Sequence, residues 1–359
     1  MKILIVLPND SLGGAEQYLK MVANYHKRDK VEILFLRKVG SDKWNDVSNS
    51  ITKTYLHQTS YNLGILSFIK RLLFKKRTRY DRIYSSHIYI TGLLGILISF
   101  GLLKKTHFIA RESTSNFTRF KGAKLRKYKM TYALGYRHID LLICQTDFMR
   151  EQLLKGFPKI KKRTEVIVLE NPIDISLIRS KENGPFEYEP PEKFIVSAGR
   201  LIPEKGFDIL IGAFAAVKDD FPDVELLILG EGDERENLTL LAKNYDVENR
   251  VHMPGNVNNV YPYFKKAALC VVSSRIEGFP NVLLQMMSQN NDVLSTLCAG
   301  GIENIEGVVT IPADSKGHLT ESMRTTLLRD TAQNRQSFDS FLGKRGIDNF
   351  MTTLQNNLR

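Results

Sequence analysis

At 359 residues, 43% of them apolar, the chain has material for two domains of ordinary size, each with a core of its own. The longest apolar run, 88–103, covers 16 residues but is interrupted by Thr91, Gly92, Gly95 and Gly101, short of the roughly 20 that a membrane-spanning helix needs. Charge is uneven: residues 1–180 hold 33 Lys and Arg against 14 Asp and Glu, the remainder 18 against 25. The basic clusters, at 70–79, 119–129 and 155–163, call for an anionic partner: phospholipid headgroups, a diphosphate or nucleic acid. A membrane surface is the first choice, and nucleic acid is set aside. Cys144, Cys270 and Cys298 lie in apolar surroundings without metal-ligand spacing, as core thiols in a reducing cytoplasm do. Residues 1–8 are too short for a secretory leader and look like a first strand.

In chain order, 2–7 (K-I-L-I-V-L) is a buried strand, a loop follows over 8–13, and Gly14-Ala15-Glu16 opens a helix with Tyr18, Leu19 and Val22 on one side. The adjacent glycines allow a close approach to a ligand but do not form the dinucleotide fingerprint. A strand over 31–36 and an amphipathic helix over 63–73 follow. The strand at 82–87 ends in His87, the apolar helix 88–103 comes next, and the strand at 107–111 empties into Glu112-Ser113-Thr114-Ser115-Asn116. His87, Arg111 and Glu112 thus lie at strand ends, where a cleft is expected. A basic, aromatic stretch (117–136), a strand (140–144), a helix (146–155) and a strand (165–169) lead to the turn Asn171-Pro172-Ile173-Asp174. A linker is expected at 181–192, marked by Gly, three prolines and a change of charge sign.

The second half repeats the alternation. The strand 194–198 gives way to Gly199 and Arg200, with Lys205 and Gly206 leading into a helix over 207–217. The strand 224–229 ends in Gly230-Glu231-Gly232, and a short strand at 251–253 ends in Gly255-Asn256-Val257. Next comes the strand 268–272 and the corner S-S-R-I-E-G-F-P-N-V-L-L-Q, 273–285, where a helix starts near Pro280. Its Gly278, Phe279 and Asn281 amides suit a phosphate, whereas Glu277 is unsuited to an anion and reads as a grip on sugar hydroxyls. Arg200 and Lys205, flanked by glycines, are placed to hold a diphosphate. A strand at 292–296, a loop and terminal helices finish the chain, with the last helix, 335–354, expected to pack back on the first domain. Two βα-alternating halves predict two parallel sheets wrapped by helices, facing each other across a cleft.

The runs S-A-G-R-L-I-P-E-K-G-F, L-I-L-G-E-G-D-E-R-E-N-L and S-S-R-I-E-G-F-P-N-V-L-L-Q, in this order, resemble the retaining glycosyltransferases of family 4, and G-G-A-E at 13–16 and N-P-I-D at 171–174 match as well. The resemblance covers most of the chain. It implies a GT-B fold, with two Rossmann-like domains, an acceptor-binding first half to about residue 180 and a nucleotide-sugar-binding second half at 193–334. It also implies transfer of a hexose or N-acetylhexosamine from a nucleotide sugar, usually UDP-linked, with retention and without a metal or other cofactor. Carried over by position, Arg200 and Lys205 hold the diphosphate and Glu277 the donor-sugar hydroxyls, with Gly278, Phe279, Asn281 and Val282 alongside. Gly14 lets the first domain close on the diphosphate, and Gly230, Glu231, Asn256 and Val257 line the nucleotide. Two positions depart from the pattern: Gln285 stands where a second glutamate grips the ribose, and Arg111-Glu112 where a histidine often approaches the sugar. The acceptor implied is a lipid-linked or surface-polysaccharide saccharide, reached by a cytoplasmic protein peripheral on the inner membrane face. An inactive anion-binding protein on the same fold, or a sugar-nucleotide epimerase, stays open as an alternative.

Overall fold

The structure, a computed structural model, describes residues 1–40, 42–74, 79–329 and 334–358. The chain divides into two compact units: Met1–Pro172 with Ile347–Arg359, and Ile173–Gly346.

The first unit runs β1 (Lys2–Leu7), α1 (Gly14–Tyr25), β2 (Lys30–Phe35), β3 (Thr52–Tyr55), α2 (Tyr61–Phe74), β4 (Arg79–Ser85), α3 (Ile88–Ser99), β5 (Lys104–Arg111), α4 (Asn116–Arg119), α5 (Gly122–Gly135), β6 (Leu141–Cys144), α6 (Asp147–Gly156) and β7 (Glu165–Val168). Its strands form one parallel sheet in the order β3-β2-β1-β4-β5-β6-β7. The central strands are continuous apolar runs because both faces are covered. One face packs α2, α3, α5 and α6 around Phe68, Leu94, Phe108, Tyr132 and Leu153. The other packs α1 and the terminal helix Ile347–Asn356, with the Tyr18 and Phe350 rings 5.6 Å apart.

The second unit runs α7 (Ile175–Lys181), β8 (Phe194–Ala198), α8 (Phe207–Val217), β9 (Glu225–Leu229), α9 (Arg235–Asn244), β10 (Val251–Gly255), α10 (Tyr261–Lys266), β11 (Leu269–Val272), α11 (Asn281–Met287), β12 (Val293–Thr296), β13 (Val309–Ile311), α12 (Lys316–Leu327) and α13 (Asn334–Gly343). Its parallel sheet has the order β10-β9-β8-β11-β12-β13. In each sheet the order of connection reverses once, between β1 and β4 and between β8 and β11. Those are the switch points outside which ligands bind in open α/β sheets.

The structure departs from the sequence reading in four places. The apolar run 88–103 is not one helix: α3 ends at Ser99 and Gly101 turns the chain at φ +68°, so Leu103 is buried on the way into β5. The expected last helix is two, with α13 burying Phe338 and Leu342 in the second unit and only the terminal helix packing in the first. The change of unit falls at Pro172–Ile173, ahead of 181–192. That proline-rich stretch is tied to the second unit by the Tyr263 hydroxyl, which accepts the Glu187 and Tyr188 amides, and by Glu187, which accepts the Asn258 amide at 2.6 Å. Strands β3 and β13 were not legible, being edge strands of four and three residues with only partial burial. Within the basic cluster 70–79, residues 75–78 lie outside the described residues.

Helices α3 and α5 meet through glycine. A Cβ on Gly95 would stand 1.6 Å from the Gly135 carbonyl oxygen, and one on Gly135 would stand 2.3 Å from Gly92 Cα. Helix propensity alone favours Gly95→Ala by about 1 kcal/mol. Prising apart two packed backbones costs roughly 1–3 kcal/mol or more and should win. Gly95→Ala is therefore expected to lower the urea midpoint; a raised midpoint would mean that the helices are not held at this distance.

Candidate functional site

The residues singled out in the sequence fall into two sets, one in each unit. In the second unit they gather where β8 and β11 end side by side. The loop after β8 closes with Gly206 in the left-handed region, at φ +63°, and a Cβ there would sit 2.2 Å from the Ser273 carbonyl oxygen. Only glycine lets the two loops approach this closely. Ser273 Oγ donates to the Lys205 carbonyl at 2.9 Å, and the Arg275 amide donates to the Glu204 carbonyl at 2.8 Å. Arg275 completes the clamp: its guanidinium donates to both Asp208 oxygens, at 2.8 and 2.7 Å, to Asp314 at 2.8 Å and to the Pro203 carbonyl at 2.6 Å. The bidentate pair raises the pKa of Arg275 and lowers that of Asp208 against the opposing effect of burial.

Held this way, Lys205 Nζ lies 2.5 Å from Glu277 Oε1, with both side chains about one-fifth exposed. Ser274 Oγ donates to the same oxygen at 3.1 Å, and the Glu277 amide donates to the Cys298 carbonyl at 2.8 Å. Arg200, five residues before Lys205, is exposed and meets no carboxylate among the described residues. A cation held by a carboxylate, with an exposed guanidinium five residues earlier on the same loop, is a combination that can receive an anion and neighbouring hydroxyls. Burial and the Glu277 charge push the Cys298 thiol up to about 12, so the nearby sulfur stays protonated and is no nucleophile.

The remaining residues of this set divide by exposure. Phe279 and Val257 are buried in the core, so only their backbones are left for a ligand. Gly278 is buried, and Asn281 and Val282 are half-buried at the start of α11, which begins after Pro280 rather than at it. Gln285 Nε2 stands 3.4 Å from the Tyr261 hydroxyl, a weak bond that a diol could replace. Gly230 lies against the Gly199 carbonyl, where a Cβ would be 1.8 Å away. Glu231 is exposed and paired with Arg235 at 2.5 Å, which lowers its pKa, and Asn256 is exposed.

In the first unit, Gly14, His87 and Glu112 lie at the ends of β1, β4 and β5. Gly14 is exposed at the start of α1, where the Glu16 carboxylate accepts the Gly13 amide at 3.0 Å and lies 2.9 Å from His87 Nε2. Burial opposes the ionisation of Glu16, but His87 outweighs it and holds the carboxyl below its ordinary pKa. Arg111 and Glu112 are both buried. Arg111 stacks on the Tyr18 ring at 4.6 Å and bonds Asn171, and burial brings its pKa down to about 10. Glu112 Oε2 accepts from the Tyr132 hydroxyl at 2.8 Å and from Asn116 Nδ2 at 3.2 Å. Burial drives its carboxyl up to about 7, although the bonds from Tyr132, Tyr136 and Asn116 pull the other way.

Beside Glu112 opens a cavity of about 250 Å³, lined by His87, Ser113, Thr114, Phe120 and Tyr128 among others. Sequence reasoning missed the cavity, and it missed Arg275, whose signal was an arginine inside the very corner that carries Glu277.

Comparison with known proteins bears on the second unit first. Residues 180–330 match the family described as "Glycosyl transferases group 1". They are a glycosyltransferase group 1 domain. Lys205, Arg275 and Glu277 all lie within this group 1 domain. The chain is 29% identical over 181 residues, 49% of its length, to an uncharacterized glycosyltransferase of Methanocaldococcus jannaschii, and it covers 44% of that protein. It is 28% identical over 232 residues to the N-acetylgalactosamine-N,N'-diacetylbacillosaminyl-diphospho-undecaprenol 4-alpha-N-acetylgalactosaminyltransferase of Campylobacter jejuni, covering 63% of this chain and 62% of that one. The chain thus spans less than two thirds of either relative. Among solved structures, Anabaena HepE in complex with UDP and glucose matches 100% of this chain and 99% of its own at a TM-score of 0.81 and 19% identity. The two parallel-sheet domains are those of the GT-B fold.

An acid whose folded pKa is raised is favoured by its proton, so the stability it contributes is complete below the unfolded value near 4.5 and is lost as pH climbs to about 7. Glu112→Gln should remove this dependence. The stability difference between the variant and the parent, measured by urea unfolding at pH 5 and pH 8, should move in the variant's favour by up to about 3 kcal/mol. A constant difference would mean that the carboxyl is not held neutral.

Proposed function

We propose that the protein transfers a hexose or N-acetylhexosamine from a nucleotide sugar, UDP-linked, to a lipid-linked or surface-polysaccharide saccharide, with retention of configuration and without a metal. One observation carries the reading: Lys205 and Glu277 meet at 2.5 Å where the central strands of a group 1 domain end. The name of the Campylobacter relative specifies a sugar acceptor on diphospho-undecaprenol, and HepE binds UDP and glucose, which supports donor and acceptor of these classes.

In this reading Lys205 leaves Glu277 for the donor diphosphate, and Arg200 grips the same group bidentately. Displacement of the nucleoside diphosphate builds negative charge on the leaving oxygen and oxocarbenium character on the sugar. Fixed cations stabilise the first without reorganisation. Glu277, freed from Lys205, accepts hydroxyls of the donor sugar and Gln285 those of the ribose. The acceptor hydroxyl attacks from the face the diphosphate leaves and gives its proton to it, which retains the configuration.

The acceptor is reached at a membrane surface. Among the described residues no helix is long and apolar enough to cross a membrane. Helices on one face of the first sheet nevertheless expose Leu66, Leu73 and Phe74 on α2, Phe100 just beyond α3, and Met130 on α5. Lys121, Lys124, Arg126, Lys127 and Lys129 on and beside α5 are exposed as well. Apolar side chains among cations suit an anionic bilayer surface, which supports a peripheral position on the cytoplasmic face.

Two measurements test this function. UDP and one UDP-hexose at about 100 times their Kd should raise the melting temperature by roughly 5 °C or more. Lys205→Ala should abolish both shifts. Glu277→Ala should keep the UDP shift and lose the increment due to the sugar; loss of both would overturn its assignment. Sedimentation with phosphatidylglycerol vesicles should be salt-sensitive and should fall at least roughly tenfold in the Lys124→Glu, Lys127→Glu double variant. Equal binding to pure phosphatidylcholine vesicles would defeat the membrane reading.

A further inference from the structure

The chain enters the second unit at Ile173 and leaves it after Gly346, and the two points lie side by side. Ile173 and Gly346 form a parallel bridge, and the Ile173 amide donates to the Arg345 carbonyl at 2.9 Å. The Arg345 amide donates to the Leu342 carbonyl, also at 2.9 Å, which seats this turn on the end of α13. The side chain of the same arginine is buried against two rings. Its guanidinium carbon lies 4.2 Å from the centre of the Phe341 ring and 5.4 Å from that of Phe279. Phe279 is only 7% exposed and belongs to the core that holds Leu283, Ile302, Phe338 and Leu342. It stands two residues beyond Glu277 in the corner after β11. At Glu277 that corner is pinned by the backbone, whose amide donates to the Cys298 carbonyl at 2.8 Å. Beyond Glu277 its anchor in the core is the Phe279 ring, and Arg345 covers that ring. Leucine or methionine could fill the same space without taking a charge out of water. A planar guanidinium adds what they lack: stacked on a ring face, it fixes the plane of the ring.

We propose that Arg345 is a positioning residue for the sugar half of the donor, holding the Glu277 corner through Phe279 and joining it to the paired backbone at Ile173 and Gly346. The inference rests on the transferase reading above and goes further by naming a residue that acts on Glu277 without touching the donor. A sugar bound by Glu277 orders the corner, the ordered corner fixes the Phe279–Arg345 stack, and the stack steadies the bridge where the chain enters and leaves the unit. The reverse also holds. A corner whose anchor is loose has to be ordered at the moment of binding, and that ordering is subtracted from the affinity for the sugar. The diphosphate depends on Arg345 much less, because Lys205 is held from the loop after β8, by the Gly206 contact and the Ser273 hydroxyl. Loss of Arg345 therefore separates sugar binding from nucleotide binding, which a general weakening of the core would not do.

The test uses the full chain, with calorimetric titration of UDP and of a panel of UDP-hexoses and UDP-N-acetylhexosamines, and amide exchange of peptides containing Ile173. In the parent, the UDP-sugar that binds should slow exchange at Ile173 at least roughly fivefold. Unchanged exchange overturns the inference without recourse to any variant. Arg345→Met should weaken binding of that UDP-sugar roughly tenfold, leave UDP within about twofold, and abolish the slowing at Ile173. Phe279→Leu should do the same, and the double variant should lose no more than either alone, since both act through one contact. Arg345→Lys keeps the charge without the planar group and should behave as Arg345→Met does. Full sugar affinity in either Arg345 variant, equal losses for UDP and UDP-sugar, or additive losses in the double variant would overturn the inference and leave the transferase reading standing. A parent that binds no UDP-sugar of the panel overturns the transferase reading, and the inference with it.

Discussion

The contact between Gly206 and the Ser273 carbonyl is the constraint on which the second unit's site depends. A side chain of any size at position 206 would push the loop after β8 away from the loop after β11. The separation would break the Ser273 bond to the Lys205 carbonyl and draw Arg275 off Asp208 and Pro203. Lys205 and Glu277, on opposite sides of the seam, meet only because this backbone contact exists. The ion pair itself contributes modestly to stability, since both groups retain access to water. Its value is positional: it fixes two opposite charges at one point where the central strands end.

The first unit uses the same device for another end. Gly92, Gly95 and Gly135 bring α3 and α5 to backbone contact, which fixes the distance between the start of α3 and the aromatic residues of α5. Tyr89 and Tyr128 stack across that seam. Glu112 is then enclosed by Tyr132, Tyr136 and Asn116, and its raised pKa follows from enclosure rather than from a neighbouring like charge. A buried carboxyl that costs stability near neutral pH is a poor structural choice where a glutamine could be held by the same tyrosines. Strain or cost of this kind collects at functional sites.

Much of this was legible in the sequence because the signals are local. Continuous apolar runs of four to six residues marked the central strands, and glycine pairs at their ends marked the loops. Asn171-Pro172-Ile173-Asp174 read as a turn, but nothing in its composition distinguished it from 181–192 as the point where the units change. The stretch 181–192 looks like a linker by its prolines, and is instead fastened by a tyrosine hydroxyl 76 residues away. Edge strands T-K-T-Y and V-T-I carry too little apolar pattern to stand out. The single helix expected over 335–354 failed because a turn at 344–346 has no proline to announce it, and its two halves bury different faces in different cores. Arg275 and the cavity beside Glu112 depend on residues far apart in the chain, and such partners leave no local trace.

Charge asymmetry takes on physical meaning once partners are known. In the second unit the cations are largely answered by carboxylates: Arg235 by Glu231, Arg275 by Asp208 and Asp314, Arg324 by Asp220 and Glu321, Lys265 by Glu182. Along α5 the arrangement is different. Lys124 and Lys127 rest on the Phe120 and Tyr89 rings, and Lys121, Arg126 and Lys129 are exposed with no carboxylate among the described residues. A ring face attracts a cation by roughly 0.5–1 kcal/mol at an exposed site, without cancelling its charge. The positive potential of this surface therefore survives folding, whereas that of the second unit is spent internally. Residual charge of one sign, bordered by exposed apolar side chains, raises the local concentration of anionic partners and does so most strongly at low salt. The uncancelled charge of the basic half is thus concentrated along α5, whereas Lys20, Arg71, Lys105 and Arg150 of the same unit are paired with Asp46, Glu32, Asp140 and Asp147.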